Sequence, residues 1–214
     1  MKKPLSKQVL ENIEKWLNPP YDENTRQEVK KLLDSDPHAL KDAFHAQVSF
    51  GTGGMRALMG LGTNRLNRYT IGTASQGLAN YILKKGKTKR LFISYDSRHH
   101  SHDFAKETAQ VMAGNGIEVY LTKELRPTPF VSFGCRYFKC DAAVMITASH
   151  NPPEYNGYKV YWSDGAQVVA PHDSGIMDEV EKIKTPDQIK RSAVDDPLII
   201  QVEGDLDCAY LKAL

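Results

Sequence analysis

Apolar residues recur along this chain with two different periods, and the change from one to the other divides it. Up to about residue 45 they follow the spacing of amphipathic helices, as at Val9 and Ile13. Asp22 is placed to cap a second helix and Pro37 to open a third, because aspartate favours the cap and proline the first turn. The pattern predicts an N-terminal helical extension over residues 1–45.

From residue 46 onward, short apolar runs alternate with helical patterns. The predicted strands are 91–95, 117–121, 142–146 and 157–162. The predicted helices are 71–82, 104–112, 127–138 and 173–184. This alternation predicts an α/β fold in three layers, α/β/α, with a mixed, mostly parallel sheet and helices on both faces. We expect this domain to occupy residues 46–203, and residues 204–214, which open a further helix, to begin a second domain.

Composition narrows the class of protein without pointing to one function. The chain has 214 residues, of which 41% are hydrophobic and 25% charged, as in soluble globular proteins. A net charge of +2 gives no reason to expect nucleic acid as a partner. No window is apolar enough for a membrane span, and the early lysines precede no apolar stretch of a secretory signal.

The three cysteines, Cys135, Cys140 and Cys208, lack the spacing of a metal site. We expect them to be reduced thiols in a cytoplasmic protein. A disulfide between Cys135 and Cys140 is an alternative that a reducing compartment disfavours.

The most informative segment is Thr-Ala-Ser-His-Asn-Pro-Pro-Glu at 147–154, which directly follows the apolar strand at 142–146. Open α/β sheets bind ligands just beyond the carboxyl ends of their strands, so Ser149 lies where a reactive hydroxyl is presented. Pro152 and Pro153 restrict the backbone that follows. Phosphoryl transfer asks a protein mainly for positioning and for cations that offset charge, and a stiff loop of this kind suits that chemistry.

Candidate groups for proton transfer follow Ser149. Asn156 and Gly157 form a turn signal that would fold the next strand back toward the loop. Alternation along that strand lets Lys159 project toward Ser149, where a pKa lowered by other cations would let it move a substrate proton. His150 directly follows Ser149 and faces away from it in an extended chain, so it is a poor general base for that hydroxyl.

Each feature has a plainer interpretation when taken alone. A Ser-His pair is most often a polar turn, and a lysine at position 159 is most often solvated. The glycines at 51, 53 and 54 permit a tight turn but lack the Gly-Lys-Ser/Thr of a Walker loop. Arg98 could simply pair with Asp96 or Asp103. A serine hydrolase is disfavoured because no Gly-x-Ser-x-Gly elbow occurs.

Four segments, taken together and in this order, resemble the first domain of the α-D-phosphohexomutases. They are Phe-Gly-Thr-Gly-Gly-Met-Arg at 50–56, Tyr-Asp-Ser-Arg at 95–98, the serine segment at 147–153, and Asn-Gly-Tyr-Lys at 156–159. The resemblance covers about residues 46–201, and the serine segment is highly specific at its length.

The resemblance implies a role for each matching residue. Ser149 is implied as the nucleophile and phosphoryl carrier, Lys159 as the acid or base, and His150 as a neighbour of the phosphate. Arg56 and Arg98 are implied to bind or orient phosphate. Ser149 also contacts the family's Mg²⁺ through its phosphate, while the main metal ligands belong to an aspartate-rich loop of a second domain.

That aspartate-rich loop is not found in this sequence. The Gly-Asp-Leu-Asp at 204–207 is superficially similar to it but lacks the third aspartate and the arginine, so we reject it as a metal site. Full family members have four domains, which makes the remaining domains of the same enzyme implied partners. We therefore expect this chain alone to be inactive.

Pro-Pro-Tyr-Asp at 19–22 and the segment at 62–72 resemble the branch of phosphoglucomutase 2-like and phosphopentomutase-like proteins. That branch implies glucose phosphates or pentose phosphates as substrates and a sugar bisphosphate as activator. The phosphoryl group would move between the 1- and 6- (or 5-) positions of the sugar through a bisphosphate intermediate. The alternative is a non-catalytic sugar-phosphate-binding module, which would use the same cations without a covalent step on Ser149.

Overall fold

A mixed six-stranded sheet forms the centre of the fold. The structure is a computed structural model that describes residues 5–51 and 53–214, with the backbone alone for Pro37. The strands are β1 (Gly54–Leu58), β2 (Arg90–Tyr95), β3 (Glu118–Thr122), β4 (Ala142–Ile146), β5 (Tyr155–Trp162) and β6 (Ile199–Val202). They lie in the order β1-β5-β4-β2-β3-β6. β5 runs antiparallel to both of its neighbours, whereas β4, β2, β3 and β6 are parallel.

Helices cover both faces of this sheet. The helices are α1 (Lys7–Trp16), α2 (Glu23–Ser35), α3 (Pro37–Phe44), α4 (Arg68–Lys85), α5 (Ser101–Gly114), α6 (Thr128–Tyr137), α7 (His172–Val180) and α8 (Asp205–Lys212). One face, which carries Tyr158 and Val160, packs against α4, α5 and α7. The other face, which carries Phe92 and Met145, packs against α6 and α8. The predicted three-layer α/β/α arrangement with a mixed sheet is confirmed.

β4 is buried along its whole length because it lies between β5 and β2 under helices on both faces. Val144 points into the core cluster under α4 and α5, and Met145 into the cluster under α6. A continuous apolar run, rather than an alternating one, is what a strand in this position requires. The strand that leads to Ser149 is therefore among the best anchored parts of the sheet.

The N-terminal helices α1, α2 and α3 pack around a separate aromatic cluster. The Trp16 ring lies 5.4 Å from the rings of both Phe44 and Tyr69, measured between centroids. Asp22 caps α2 by accepting a hydrogen bond from the Thr25 amide at 2.9 Å, and the Tyr69 hydroxyl also donates to Asp22. Tyr69 belongs to α4, so these contacts fasten the extension to the sheet domain. The domain boundaries at residues 45 and 203 stay predictions.

Several elements differ from the sequence pattern. The turn predicted at Asn156 and Gly157 is wrong, because both residues lie inside β5. The chain reverses earlier, within residues 147–154, because β4 and β5 are antiparallel. A second reversal follows β5 at Asp164 and Gly165, where the Gly165 amide donates to the Trp162 carbonyl at 2.8 Å. The pattern also fails to predict β1 and β6, the two edge strands, because both are short and partly exposed.

The helix predicted to open at residue 205 is confirmed as α8. Leu206 is buried in the cluster under α6, and the Tyr210 ring lies 5.1 Å from that of Phe130. Arg126 donates to both carboxylate oxygens of Asp207 at 2.6 and 2.7 Å. In this structure α8 therefore helps to cover the sheet, and its assignment to a second domain stays a prediction.

Two further expectations concern the thiols and the membrane. Cys135 and Cys140 are buried free thiols rather than a disulfide, and burial raises the pKa of Cys135 to about 12. Within the described ranges, no helix combines the length and the apolar character that crossing a bilayer requires.

Candidate functional site

The carboxyl ends of β2 and β4 lie side by side at one edge of the sheet. From β2 the chain crosses through α5 on one face to β3, and from β3 it crosses through α6 on the opposite face to β4. From β4 the chain continues to β5, on the side of β4 away from β2, so the connections that leave β2 and β4 run in opposite directions along the sheet. β2 and β4 therefore border a switch point, which is the usual ligand site of open α/β sheets. The segment at 147–154 follows β4, and the segment at 96–98 follows β2.

Ser149 is exposed at this edge and has a left-handed backbone conformation, with φ of +59°. This conformation is uncommon for a residue with a side chain and persists only where the surroundings hold it. The Ser149 amide donates to Thr147 Oγ1 at 2.9 Å, so a side chain two residues earlier supports the turn. The hydroxyl is thus presented to solvent from a constrained backbone.

Arg98 contacts this segment through backbone oxygens. Its Nη2 donates to the carbonyl oxygen of Ser149 at 2.6 Å and to that of Asn151 at 2.7 Å. Its Nη1 donates to the carbonyl oxygens of Pro152 at 2.9 Å and Tyr155 at 3.1 Å. These four bonds account for the four Nη hydrogens. The predicted contact of Arg98 with phosphate stays a prediction.

A polar network lies beneath Arg98. Asp96 Oδ1 accepts hydrogen bonds from the Arg98 amide at 3.1 Å and from Ser101 Oγ at 2.8 Å, and Asp96 Oδ2 lies 3.4 Å from Arg98 Nε. The fully buried Asn156 amide donates to Ser101 Oγ at 2.9 Å and to the His99 carbonyl at 3.0 Å. The network thus joins the segment after β2 to β5, and the bonds of Arg98 join it to the segment after β4.

Gly157 allows β5 to approach the end of β4 closely. A Cβ at this position would lie 2.5 Å from the Thr147 carbonyl oxygen and 2.9 Å from that of Met55. The Thr147 amide donates to the Gly157 carbonyl at 3.0 Å across this contact. The residue before the serine turn is thus fixed against β5 at a spacing that only glycine permits.

Arg56 and Lys159 lie on one face of the sheet, as the register of β1 against β5 requires. Arg56 Nη1 donates to Asn151 Oδ1 at 2.8 Å, which places a guanidinium beside the serine segment. Burial, together with the nearby charge of Arg56, lowers the pKa of Lys159, and the carboxylate of Asp96 opposes this shift. A lowered pKa increases the neutral fraction of the amine, which is the form that accepts a proton.

His150 does not lie as the sequence predicts. Its Nδ1 is 3.4 Å from Ser149 Oγ, so the two adjacent side chains meet instead of facing apart. The left-handed conformation of Ser149 is the reason, because alternation of side chains holds only for extended backbone. The prediction that His150 faces away from Ser149 is therefore wrong, and the predicted place of His150 near a phosphate on Ser149 stays a prediction.

A shallow depression of about 370 Å³ lies between the segments that follow β2 and β4. Its lining residues are Asp96, Ser97, Arg98, His99, Ser149, Asn151 and Pro153. Among the residues that the structure describes, no group of three or more His, Cys, Asp or Glu side chains could hold a metal ion. Asp207, in the segment rejected as a metal site, is paired with Arg126.

A sequence model described as "Phosphoglucomutase/phosphomannomutase, alpha/beta/alpha domain I" matches residues 47–187. The chain belongs to the phosphoglucomutase/phosphomannomutase family. The matched range includes all four segments that the resemblance rests on. It therefore covers the serine segment and the positions of Arg56, Arg98 and Lys159.

Individual relatives in the phosphoglucomutase/phosphomannomutase family carry several names. The chain is 42% identical over 183 residues to the phosphopentomutase of Homo sapiens, covering 80% of this chain and 30% of that protein. It is 47% identical over 141 residues to the phosphoglucomutase of Staphylococcus haemolyticus, covering 65% of this chain and 26% of that protein. The chain thus spans about a third or less of the length of the curated relatives that it matches.

The fold is also similar to that of a solved structure. A "putative phosphomannomutase" from Thermus thermophilus superposes with a TM-score of 0.66 at 26% identity, covering 78% of this chain and 35% of that one. This similarity agrees with the three-layer arrangement described above.

Two side chains of the site have contacts that the sequence pattern does not reveal. Asn151 accepts the hydrogen bond of Arg56, a residue 95 positions earlier in the chain. Asn156 is a buried bridge rather than a turn residue. An asparagine inside a strand is unfavourable unless its amide is bonded, and that is the signal that could have identified Asn156.

Proposed function

We propose that this chain is the phosphoserine-bearing domain of a sugar-phosphate mutase. Ser149 would carry a phosphoryl group and pass it to a sugar monophosphate, forming a bisphosphate. The bisphosphate would reorient and return its other phosphoryl group to Ser149. The net result is movement of phosphate between the 1- and 6- (or 5-) positions of the sugar.

One observation carries this proposal: an exposed serine hydroxyl on a constrained turn lies at the switch point of the sheet, beside fixed cations. The φ of +59° at Ser149 and the bond from its amide to Thr147 define the turn. Arg56 and Lys159, from two neighbouring strands, supply positive charge on one face. A phosphoserine carries a charge of about −1.5 to −2 at neutral pH, which such cations stabilise.

Lys159 is proposed to move the proton. As the bond from the sugar hydroxyl oxygen to phosphorus forms and the bond from phosphorus to Ser149 Oγ breaks, the hydroxyl proton must reach the departing serine oxygen. A lysine whose pKa is lowered accepts and returns such a proton more readily than an ordinary one. His150, 3.4 Å from Ser149 Oγ, is proposed to hydrogen-bond the phosphate.

A Mg²⁺ ion fits this chain only in part. When bound, it would neutralise charge on the transferring phosphate. The described residues supply no carboxylate cluster for it, and Asp96 already bonds Arg98 and Ser101. We therefore propose that the phosphate on Ser149 is this chain's contact with the metal, and that the other ligands come from remaining domains of the same enzyme.

The proposed substrates are sugar phosphates, with a sugar bisphosphate as activator. Relatives named phosphopentomutase and phosphoglucomutase support pentose or hexose phosphates as the class. We propose that the contacts that select the sugar come from the remaining domains, so that this chain alone accepts a phosphoryl group without sustained turnover.

The test is intact-mass spectrometry of the chain after incubation with Mg²⁺ and glucose 1,6-bisphosphate or ribose 1,5-bisphosphate. We expect the mass of one phosphoryl group to be added to the wild-type chain and not to Ser149→Ala. Ser97→Ala is a matched control, because Ser97 lines the same depression. That variant should be phosphorylated like the wild type.

Equal phosphorylation of Ser149→Ala and the wild type would refute the assignment of the carrier. Saturable binding of the bisphosphate without any covalent mass change would favour the non-catalytic sugar-phosphate-binding module instead. A coupled mutase assay provides the second readout, and sustained turnover by this chain alone would contradict the proposal that other domains are needed.

A further inference from the structure

We propose that Arg98 is a positioning residue that sets the conformation of the Ser149 turn through backbone oxygens, rather than a ligand of phosphate. This inference rests on the proposed function for its catalytic consequence. Its structural part is independent of that function: the Arg98 guanidinium acts as a clamp that binds four backbone carbonyl oxygens around the Ser149 turn.

The hydrogen bonds of Arg98 reach carbonyl oxygens from Ser149 to Tyr155. Nη2 bonds the carbonyl oxygens of Ser149 and Asn151, and Nη1 bonds those of Pro152 and Tyr155. The first of these oxygens belongs to the left-handed residue itself, and the last belongs to the first residue of β5. A single planar group therefore fixes both ends of the turn.

The position of the guanidinium is itself fixed from below. Asp96 pairs with Nε at 3.4 Å and accepts from the Arg98 amide, while Ser101 donates to Asp96. The Arg98 side chain is only 13% exposed. A group that is enclosed in this way and has bonded all four Nη hydrogens is not oriented to receive a phosphate from solvent.

The charge alone would not reproduce this arrangement. Lysine carries the same charge but has three donors on one nitrogen at the end of a flexible stem, whereas arginine presents a rigid planar fork. Four carbonyl oxygens that converge on two separate nitrogens match the fork and not the ammonium. Arg98→Lys therefore separates a clamp from a simple electrostatic role.

Two consequences follow for Ser149. Because its carbonyl is held by Arg98 and its amide by Thr147, the backbone on both sides of the residue is fixed while Oγ stays exposed. Loss of the fork should let the turn relax toward more common φ values and displace Oγ. Misplacement of a reacting group by about 1 Å can reduce a rate by about 100-fold.

The experiment compares Arg98→Lys and Arg98→Ala with the wild type by two readouts. Hydrogen–deuterium exchange measures the amides of residues 149–151 and 154–157. Intact mass measures the rate of phosphorylation as a function of glucose 1,6-bisphosphate concentration. Arg90→Lys is the matched control, since Arg90 lies at the start of the strand that leads to Arg98 and pairs with Glu118 at 2.9 Å. Circular dichroism verifies that each variant is folded.

We expect faster exchange of the segment in both Arg98 variants and not in the control. The maximal rate of phosphorylation should fall by about 100-fold in Arg98→Lys as well as in Arg98→Ala, with little change in the half-saturating concentration. Added guanidinium ion should restore part of the rate in Arg98→Ala, whereas methylammonium should not.

Other results would overturn the inference. If the amides of the serine segment exchange at the wild-type rate in Arg98→Lys, the planar fork of arginine is not needed to hold the segment. A wild-type maximal rate with a raised half-saturating concentration would show that Arg98 binds phosphate. If the wild-type chain takes up no phosphoryl group, the proposed function fails, but the exchange measurement still decides the clamp.

Discussion

The serine segment and the N-terminal helical extension are both attached to the same sheet domain, but by different forces. The extension is attached by aromatic packing, in which the rings of Trp16 and Tyr21 lie 5.4 and 4.7 Å from that of Tyr69 in α4. The serine segment buries few apolar side chains and is held by hydrogen bonds from Arg98 and Arg56. Apolar packing tolerates small shifts of an element, whereas a fork of hydrogen bonds fixes individual backbone atoms.

The difference suits the roles proposed for the two regions. A phosphoryl carrier must hold one oxygen at a defined place while remaining open to a substrate, and burial of that loop would close the site. Directional hydrogen bonds can fix the backbone and leave the Ser149 side chain exposed. The extension has only to stay attached, and the aromatic cluster provides that.

The largest expected effect concerns the extension. Trp16→Ala would leave a cavity among the rings and should lower the free energy of unfolding by about 3–5 kcal/mol. The measurement is urea denaturation followed by circular dichroism. Leu10→Ala, an exposed change on the same helix, is the control and should alter the free energy by less than about 0.5 kcal/mol. An equal effect of the two variants would contradict the buried role of Trp16.

A smaller loss of stability is expected when the buried side chain of Asn156 is removed. Asn156→Ala removes two donated hydrogen bonds and leaves the Gly157 amide without the oxygen that accepts from it at 2.8 Å. Leaving such buried groups unpaired costs about 1–3 kcal/mol, measured by the same denaturation. Asn18→Ala, at an exposed asparagine that bonds the Glu14 carbonyl, should cost much less. A wild-type free energy of unfolding in Asn156→Ala would contradict the role of these hydrogen bonds in stabilising the fold.

The hydrogen bond between Tyr69 and Asp22 should contribute still less to the free energy of unfolding. Tyr69→Phe removes the hydroxyl that donates to Asp22 and should cost about 0.5–1.5 kcal/mol at neutral pH. The bond from Tyr69 is the main cause of the lowered pKa of Asp22 in the folded chain, with smaller help from Thr25 and Arg68. The contribution is therefore present above the unfolded-state pKa and is lost as pH falls through the lowered one.

Unfolding of the wild type and Tyr69→Phe across the acid range provides the check. The gap in stability between the two proteins should narrow as the pH falls below about 4. A gap that widens in acid would have the wrong sign and would exclude this coupling.

The smallest effect concerns the pKa of Lys159. Arg56→Gln removes one of the two causes that lower this pKa, whereas burial, the larger cause, remains. The midpoint for acylation of the Lys159 amine, followed by peptide mass spectrometry, should move upward and stay below the usual value of 10.5. Arg90→Gln, at the opposite end of the strands from the site, should leave the midpoint unchanged. A downward shift in Arg56→Gln would contradict the proposed charge effect.

The sequence predicted the features that depend on local periodicity. The helices of the extension, the buried strand at 142–146 and the alternation of strands and helices all follow from spacing and burial. The place of Ser149 followed from the same logic, because a strand that is apolar throughout must end at the edge of a covered sheet.

Features that depend on contacts between distant segments could not be predicted in this way. The hydrogen bonds from Arg98 join residues more than 50 positions apart. The residue pattern of neither segment indicates that these contacts form. The left-handed turn at Ser149 depends on those bonds, so the meeting of His150 with Ser149 was missed too. β1 and β6 were missed because edge strands are short and bury only part of their surface.

The central claim is that Ser149 carries a phosphoryl group in transit, and its discharge tests this most directly. The enzyme that joins this chain to the proposed remaining domains is first phosphorylated with glucose 1,6-bisphosphate, freed of excess reagent, and then mixed with Mg²⁺ and glucose 6-phosphate or ribose 5-phosphate. We predict that the phosphate leaves the peptide containing Ser149 while a sugar bisphosphate appears in equal amount. Phosphate that stays on Ser149, or that is released only as inorganic phosphate, would contradict the account.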